Sequence, residues 1–88
     1  MTPETILTRS ESASYEIVAD EAILIDVNSG TYFSLNSVGT EFWQMIDGER
    51  TIGAIAGTIA AKYDVAPDMV ANDLIELAEK MAADKLVS

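Results

Sequence analysis

The chain has 88 residues, 49% of them hydrophobic, and a formal net charge of −10. That length suits one small domain with a real core, and no apolar run approaches the ~18 residues a membrane span needs. Cysteine and histidine are both absent, which excludes disulfides, thiolate or imidazole metal sites, a cysteine nucleophile and a histidine general base.

Residues 1–14 form an N-terminal segment apart from a main domain over 15–88. Ile6 and Leu7 are its large internal apolar side chains, and residues 5–9 can add a ragged strand that covers the first strand of the domain. Arg9 to Ser14 reads as a polar loop. Tyr15-Glu16-Ile17-Val18-Ala19 then alternates, with Tyr15, Ile17 and Ala19 on one face, and Asp20-Glu21 reads as a turn. Ala22 to Val27 alternates again, Ile23, Ile25 and Val27 on one face and Ala22, Leu24 and Asp26 on the other. Asn28-Ser29-Gly30 is turn chemistry, with Gly30 free to take positive φ. Thr31 to Leu35 is a third short strand, rich in residues that suit a pleated surface. Tight turns between three such strands imply an antiparallel meander.

The period then changes. Val38, Phe42, Met45 and Ile46 fall at helical spacing. Asn36 or Ser37 can cap that helix. Asp47-Gly48 ends it, with Gly48 in the left-handed position past its last turn. Trp43 flanks the stripe, either packed at the core boundary or stacked on a ligand. Thr51 can cap a second helix, whose apolar face is Ile52, Ile55, Ala56, Ile59, Ala60 and Tyr63. Pro67 fits the first position of a third helix, and Asp68 suits its positive end. That helix runs to about residue 84 with a stripe of Val70, Leu74, Leu77, Ala78 and Met81; Leu86-Val87 can tuck under the sheet. Three strands followed by three helices is an α+β fold, resembling a winged helix-turn-helix.

A three-stranded meander has two edges, each a row of unpaired backbone groups. The strand at 31–35 contains no lysine, proline or other evident guard. Either a helix covers it or an extended peptide adds to it. In the second case the groups facing the newcomer belong either to 31, 33 and 35 or to 32 and 34.

An ordered set of motifs carries a family resemblance. It comprises the apolar strand 22–27, Asn28-Ser29-Gly30, an aromatic strand ending Leu35-Asn36, Phe42-Trp43 before Asp47-Gly48, Arg50-Thr51-Ile52 with Ile55, and Tyr63-Asp64-Val65. The chain resembles the PqqD-like peptide chaperones, or RiPP recognition elements, over about residues 15–87. The resemblance implies binding of the leader of a ribosomally made precursor peptide. The leader becomes a fourth strand beside the third, in a cleft walled by the third helix. Carried onto this chain, the strand side is Thr31, Tyr32, Phe33, Ser34 and Leu35, and the helix wall is Val70, Asp73, Leu74 and Leu77. Asp73 either meets a basic leader residue or is simply solvated. The chain looks like the discrete form, such as the small partner protein of lasso-peptide systems, which works with a separate leader peptidase or other maturation enzyme.

Three rivals stand beside this reading. A nucleic-acid-binding winged helix needs a basic helix, and residues 67–85 hold five acids against two lysines. A carrier protein with phosphopantetheine on Ser37 lacks the usual Asp-Ser-Leu and has strands where a carrier is helical. A structural adaptor would use the same edge for another partner. No paired-carboxylate or Ser-Lys arrangement stands out. The expectation is a protein without catalytic activity, cofactor or metal, binding neither nucleic acid nor membrane. Met1-Thr2-Pro3-Glu4 lacks the basic-then-apolar pattern of a secretory signal, so the expected location is cytoplasmic.

Overall fold

A computed structural model describes residues 1–88. Strands β1 (Ala13–Val18), β2 (Glu21–Asp26) and β3 (Thr31–Ser34) precede helices α1 (Ser37–Met45), α2 (Ile52–Tyr63) and α3 (Pro67–Ala83). The strands form one antiparallel sheet in the order β1-β2-β3. The α+β class and the strand-then-helix order are those the periodicities predict. No helix is long and apolar enough to cross a membrane.

Local chemistry fixes the turns. Ala19 and Asp20 both take positive φ, 53° and 66°, the twist a two-residue hairpin requires. Ala19 therefore lies in the turn, not on the strand face with Tyr15 and Ile17. The second turn is tied by Asp26. Its carboxylate accepts from the Asn28 N–H at 3.1 Å and the Ser29 hydroxyl at 3.0 Å. Those donors, the Asn28 amide first, hold the Asp26 carboxyl below its ordinary range. Gly30 closes the turn at φ 74°.

The helix caps follow sequence closely. Asn36, rather than Ser37, caps α1, accepting from the Gly39 N–H at 2.9 Å. Thr51 caps α2 through Ala54 at 3.0 Å, and Pro67 opens α3. One terminus differs. α1 stops at Met45 with Ile46 extended. Gly48 has positive φ (78°), but its N–H bonds the Leu7 carbonyl at 3.1 Å and does not close the helix. A tertiary partner thus outranks the local stop signal.

The helices cover one face of the sheet. Ala22, Leu24 and Asp26 face them and are buried. Ile23 and Ile25 lie on the other face, half-buried, with exposed Val27 beyond. The core joins Leu24 and Leu35 to Phe42 and Trp43 of α1, Ile55 and Ile59 of α2, and Leu74, Ala78 and Met81 of α3. Trp43 is a packing residue: 1% exposed, its ring meets Tyr15 edge-on at 5.7 Å, and the Arg9 guanidinium sits 5.4 Å from its centre.

The N-terminal segment corrects one expectation. Residues 5–9 do not cover β1. The Ile52 N–H bonds the Thr5 carbonyl, and Thr8 and Ser88 exchange bonds of 2.9 and 3.0 Å. Leu7 enters the core at 3% exposure, alongside Leu86 and Val87. The chain ends are thereby tied to each other and to the start of α2, and β1 keeps its outer edge open.

Candidate functional site

The direction of the backbone groups on β3 follows from register. The Leu35 N–H donates to the Ala22 carbonyl at 2.8 Å. The pairing runs one to one through Ile23↔Ser34, Leu24↔Phe33, Ile25↔Tyr32 and Asp26↔Thr31. Hydrogen-bonded and non-hydrogen-bonded pairs alternate in an antiparallel ladder. Thr31, Phe33 and Leu35 therefore turn their N–H and C=O groups to β2, and Tyr32 and Ser34 turn theirs outward. The even set, one of the two that sequence left open, is the free one.

Side chains alternate by the same rule. Leu35 is buried at 4% exposure, and half-buried Phe33 packs against the core with Leu24 beside it. Thr31 is half-buried, whereas Tyr32 and Ser34 lie on the uncovered face, Tyr32 at 71% exposure.

A cleft of about 400 Å³ opens beside this edge. Ser34, Leu35 and Asn36 form one side of it, and Asp73, Leu74 and Leu77 of α3 form the other. Of the predicted helix wall, Asp73 is exposed, Leu77 is half-buried and Leu74 is a core residue whose flank reaches the cleft. Val70 does not line it; it is buried among the core residues of α3.

The floor comes from α1, and sequence reasoning missed it. Val38 and Gly39 lie there. A Cβ on Gly39 would stand 3.2 Å from Leu35 Cδ2 and 3.3 Å from Leu77 Cδ2. Glycine thus lets α1 approach both walls at once, and any side chain would crowd Leu35, whose Cβ is also 3.3 Å away, and Leu77. The available signal was weak: a glycine in a helix carries a propensity cost that a close contact can explain, yet Gly57 of α2 carries it with nothing within 4 Å.

A second cleft, also about 400 Å³, lies between β1 and the helices. Its lining is polar. Lys62 pairs with Glu41, and the Tyr63 hydroxyl donates to Glu41 at 2.7 Å. Hydrogen bonding to Lys62 holds the Glu41 carboxyl below its usual range, and hydrogen bonding to Glu41 raises both Lys62 and Tyr63. Ser37 borders this cleft, away from α3.

Residues 21–87 match the family described as Coenzyme PQQ synthesis protein D (PqqD). No curated protein matches the chain. Among solved structures, TbiB1 in complex with the TbiA(beta) leader peptide is 27% identical, with a TM-score of 0.83 over 92% of this chain and 94% of that one. Lasso peptide synthetase B1 complexed with the leader peptide shares the fold at 17% identity, with a TM-score of 0.83 over 96% of this chain and 99% of that one.

Proposed function

The chain belongs to the PqqD family, and from that premise we propose that it binds the leader of a ribosomally synthesised precursor peptide and presents the precursor to separate enzymes. One observation carries the reading: the outward backbone groups of Tyr32 and Ser34 stand beside a cleft walled by α3. An extended peptide needs both features, backbone partners for affinity and a side-chain pocket for specificity. The similar protein TbiB1 is held with a leader peptide, which supports the same use here.

In this reading the leader is a fourth strand. Its N–H and C=O groups pair with Tyr32 and Ser34, while Thr31 and Phe33 keep β3 anchored to β2. An apolar leader side chain enters between Leu35, Val38, Leu74 and Leu77. Asp73, exposed on the rim, meets a basic leader residue. Val70 acts indirectly, by seating α3 on the core. The protein supplies binding rather than bond cleavage, so a separate leader peptidase or other maturation enzyme acts on the bound precursor. The location that fits is the cytoplasm, where the precursor is made.

The test is a titration with the two halves of a precursor encoded beside this gene. The leader half should bind the purified chain, and the core half should not. Binding carried entirely by the core half, or no binding of either, would contradict the reading.

A further inference from the structure

β1 is the other end of the sheet, and it is open as well. The Val27 N–H donates to the Ser12 carbonyl at 2.9 Å. The unbroken register from Ala13↔Asp26 to Val18↔Glu21 then turns the backbone groups of Ser14, Glu16 and Val18 to β2. Those of Tyr15 and Ile17 point away from the sheet, and no turn, cap or side chain takes them up. The Ala13 N–H, by contrast, is used by the Ser10 carbonyl at 3.1 Å.

Exposed edges are commonly guarded by lysine, proline or a bulge. β1 has none of these; its single charge is Glu16, which is exposed. Further acids flank the edge: Glu11 before the strand, Asp20 in the hairpin turn and Glu21 opposite Val18. Of the nearby cations, Lys62 is paired with Glu41, and Arg9, over the rings of Tyr15 and Trp43, keeps its charge but is outnumbered by these acids. The field along this edge is therefore negative. A second copy of the chain would bring −10 against −10 and set both Glu16 carboxylates on one face of the joined sheet, which opposes self-pairing. A cationic strand meets no such barrier. On the helix side, Ile17, Ser37, Gln44 and Lys62 border the polar cleft, so alternate side chains of an added strand have room to enter.

We propose that β1 is a second strand-addition site, and that its occupant is an extended, lysine- or arginine-bearing segment of a partner protein. The inference does not depend on leader binding, because β2 stands between the two edges. With both filled, the sheet holds a peptide on one side and a protein on the other.

The test uses a short blocked peptide of alternating valine and lysine, with a valine–glutamate peptide as control, each added to the isotope-labelled full chain. The lysine peptide should slow amide exchange at Tyr15 and Ile17. At low salt it should bind about tenfold tighter than the glutamate peptide, and the gap should close as salt rises. Ile17→Pro deletes an outward N–H and a half-exposed side chain but no bond to β2, so it should weaken binding by about tenfold and leave the circular dichroism spectrum intact. Should that variant fail to fold, Glu16→Lys reads the same edge from an exposed position and should narrow the preference between the peptides, since Glu11, Asp20 and Glu21 remain. Equal affinity for the two peptides overturns the proposal. So does protection at Tyr32 and Ser34 without protection on β1, a folded Ile17→Pro variant with undiminished binding, an unchanged preference in Glu16→Lys, or dimerisation of the chain through Tyr15 and Ile17.

Discussion

β3 and β1 each end the sheet with two outward-pointing residues, Tyr32 and Ser34 on one side and Tyr15 and Ile17 on the other. Each borders a cleft of about 400 Å³. Backbone groups and volume are thus alike, and neither can decide what binds where. The side chains differ. The cleft beside β3 is walled by Leu35, Val38, Leu74 and Leu77 with one acid, Asp73, on its rim. The cleft beside β1 holds Glu41, Lys62 and Tyr63, which already satisfy one another. An edge strand supplies affinity to any extended chain; the helix behind it selects the chain.

The largest expected effect separates wall from core. Leu77→Arg fills the apolar cleft with a long cation and, one helical turn from Asp73, also competes for that carboxylate. Leader affinity should fall by about a hundredfold while the circular dichroism spectrum is kept, because half-buried Leu77 stands at the rim. Leu74→Ala removes a core side chain that is 1% exposed, so it should cost about 2–5 kcal/mol of stability by denaturant unfolding. Unchanged affinity in folded Leu77→Arg would remove α3 from the site.

The next effect turns on register. Ser34→Pro deletes an outward N–H and should weaken leader binding by about tenfold with the fold kept. Phe33→Pro deletes an N–H that faces β2 and should destabilise the domain. Titration and thermal melts of the pair read this directly. The reverse assignment, Ser34→Pro unfolded and Phe33→Pro folded, would mean the ladder is offset by one residue.

This register was only half legible in the sequence. Alternation separated Ile23 and Ile25 from Ala22, Leu24 and Asp26, but a period of two carries no arrow toward the core. Hydropathy alone favours the isoleucine face. The helices instead cover the face with Asp26, whose carboxylate is satisfied by its own turn. Side-chain alternation also leaves N–H direction open until one bond is known, here Leu35 to Ala22. The helices and caps were legible because Asn36, Thr51 and Pro67 act within a turn of their own position. Residues 5–9 were not, because their partners, Thr51 and the C-terminal residues, are distant in the chain. Gly39 was hidden for the same reason, its meaning residing in Leu35 and Leu77.

A smaller effect follows from that glycine. Gly39→Ala crowds Leu35 at Cβ and Cδ2 and Leu77 at Cδ2, both of which line the cleft. Leader affinity should drop several-fold, while Tm stays nearly constant as the helix propensity of alanine offsets the crowding. A large loss of Tm with unchanged affinity would make Gly39 a core residue rather than a cleft residue.

The smallest effect belongs to the other cleft. Glu41 titrates below its ordinary range in the folded chain, chiefly through its hydrogen bond from Lys62. Its contribution to stability is therefore present at neutral pH and is lost as pH falls through the depressed value. Glu41→Gln should flatten the acid limb of Tm against pH and leave leader affinity at neutral pH unchanged. A change in leader affinity would couple the two clefts, which the comparison treats as separate.

Amide hydrogen exchange with saturating leader peptide tests the central claim most directly. Tyr32 and Ser34 have no partner for their N–H groups in the free chain, whereas Ile23 and Ile25 are already paired with β1 and Phe33 with β2. Leader should slow exchange at Tyr32 and Ser34 far more than at those three, with β1 unchanged. Protection confined to α3, or appearing at Tyr15 and Ile17 while Tyr32 and Ser34 exchange as before, would contradict strand addition at β3.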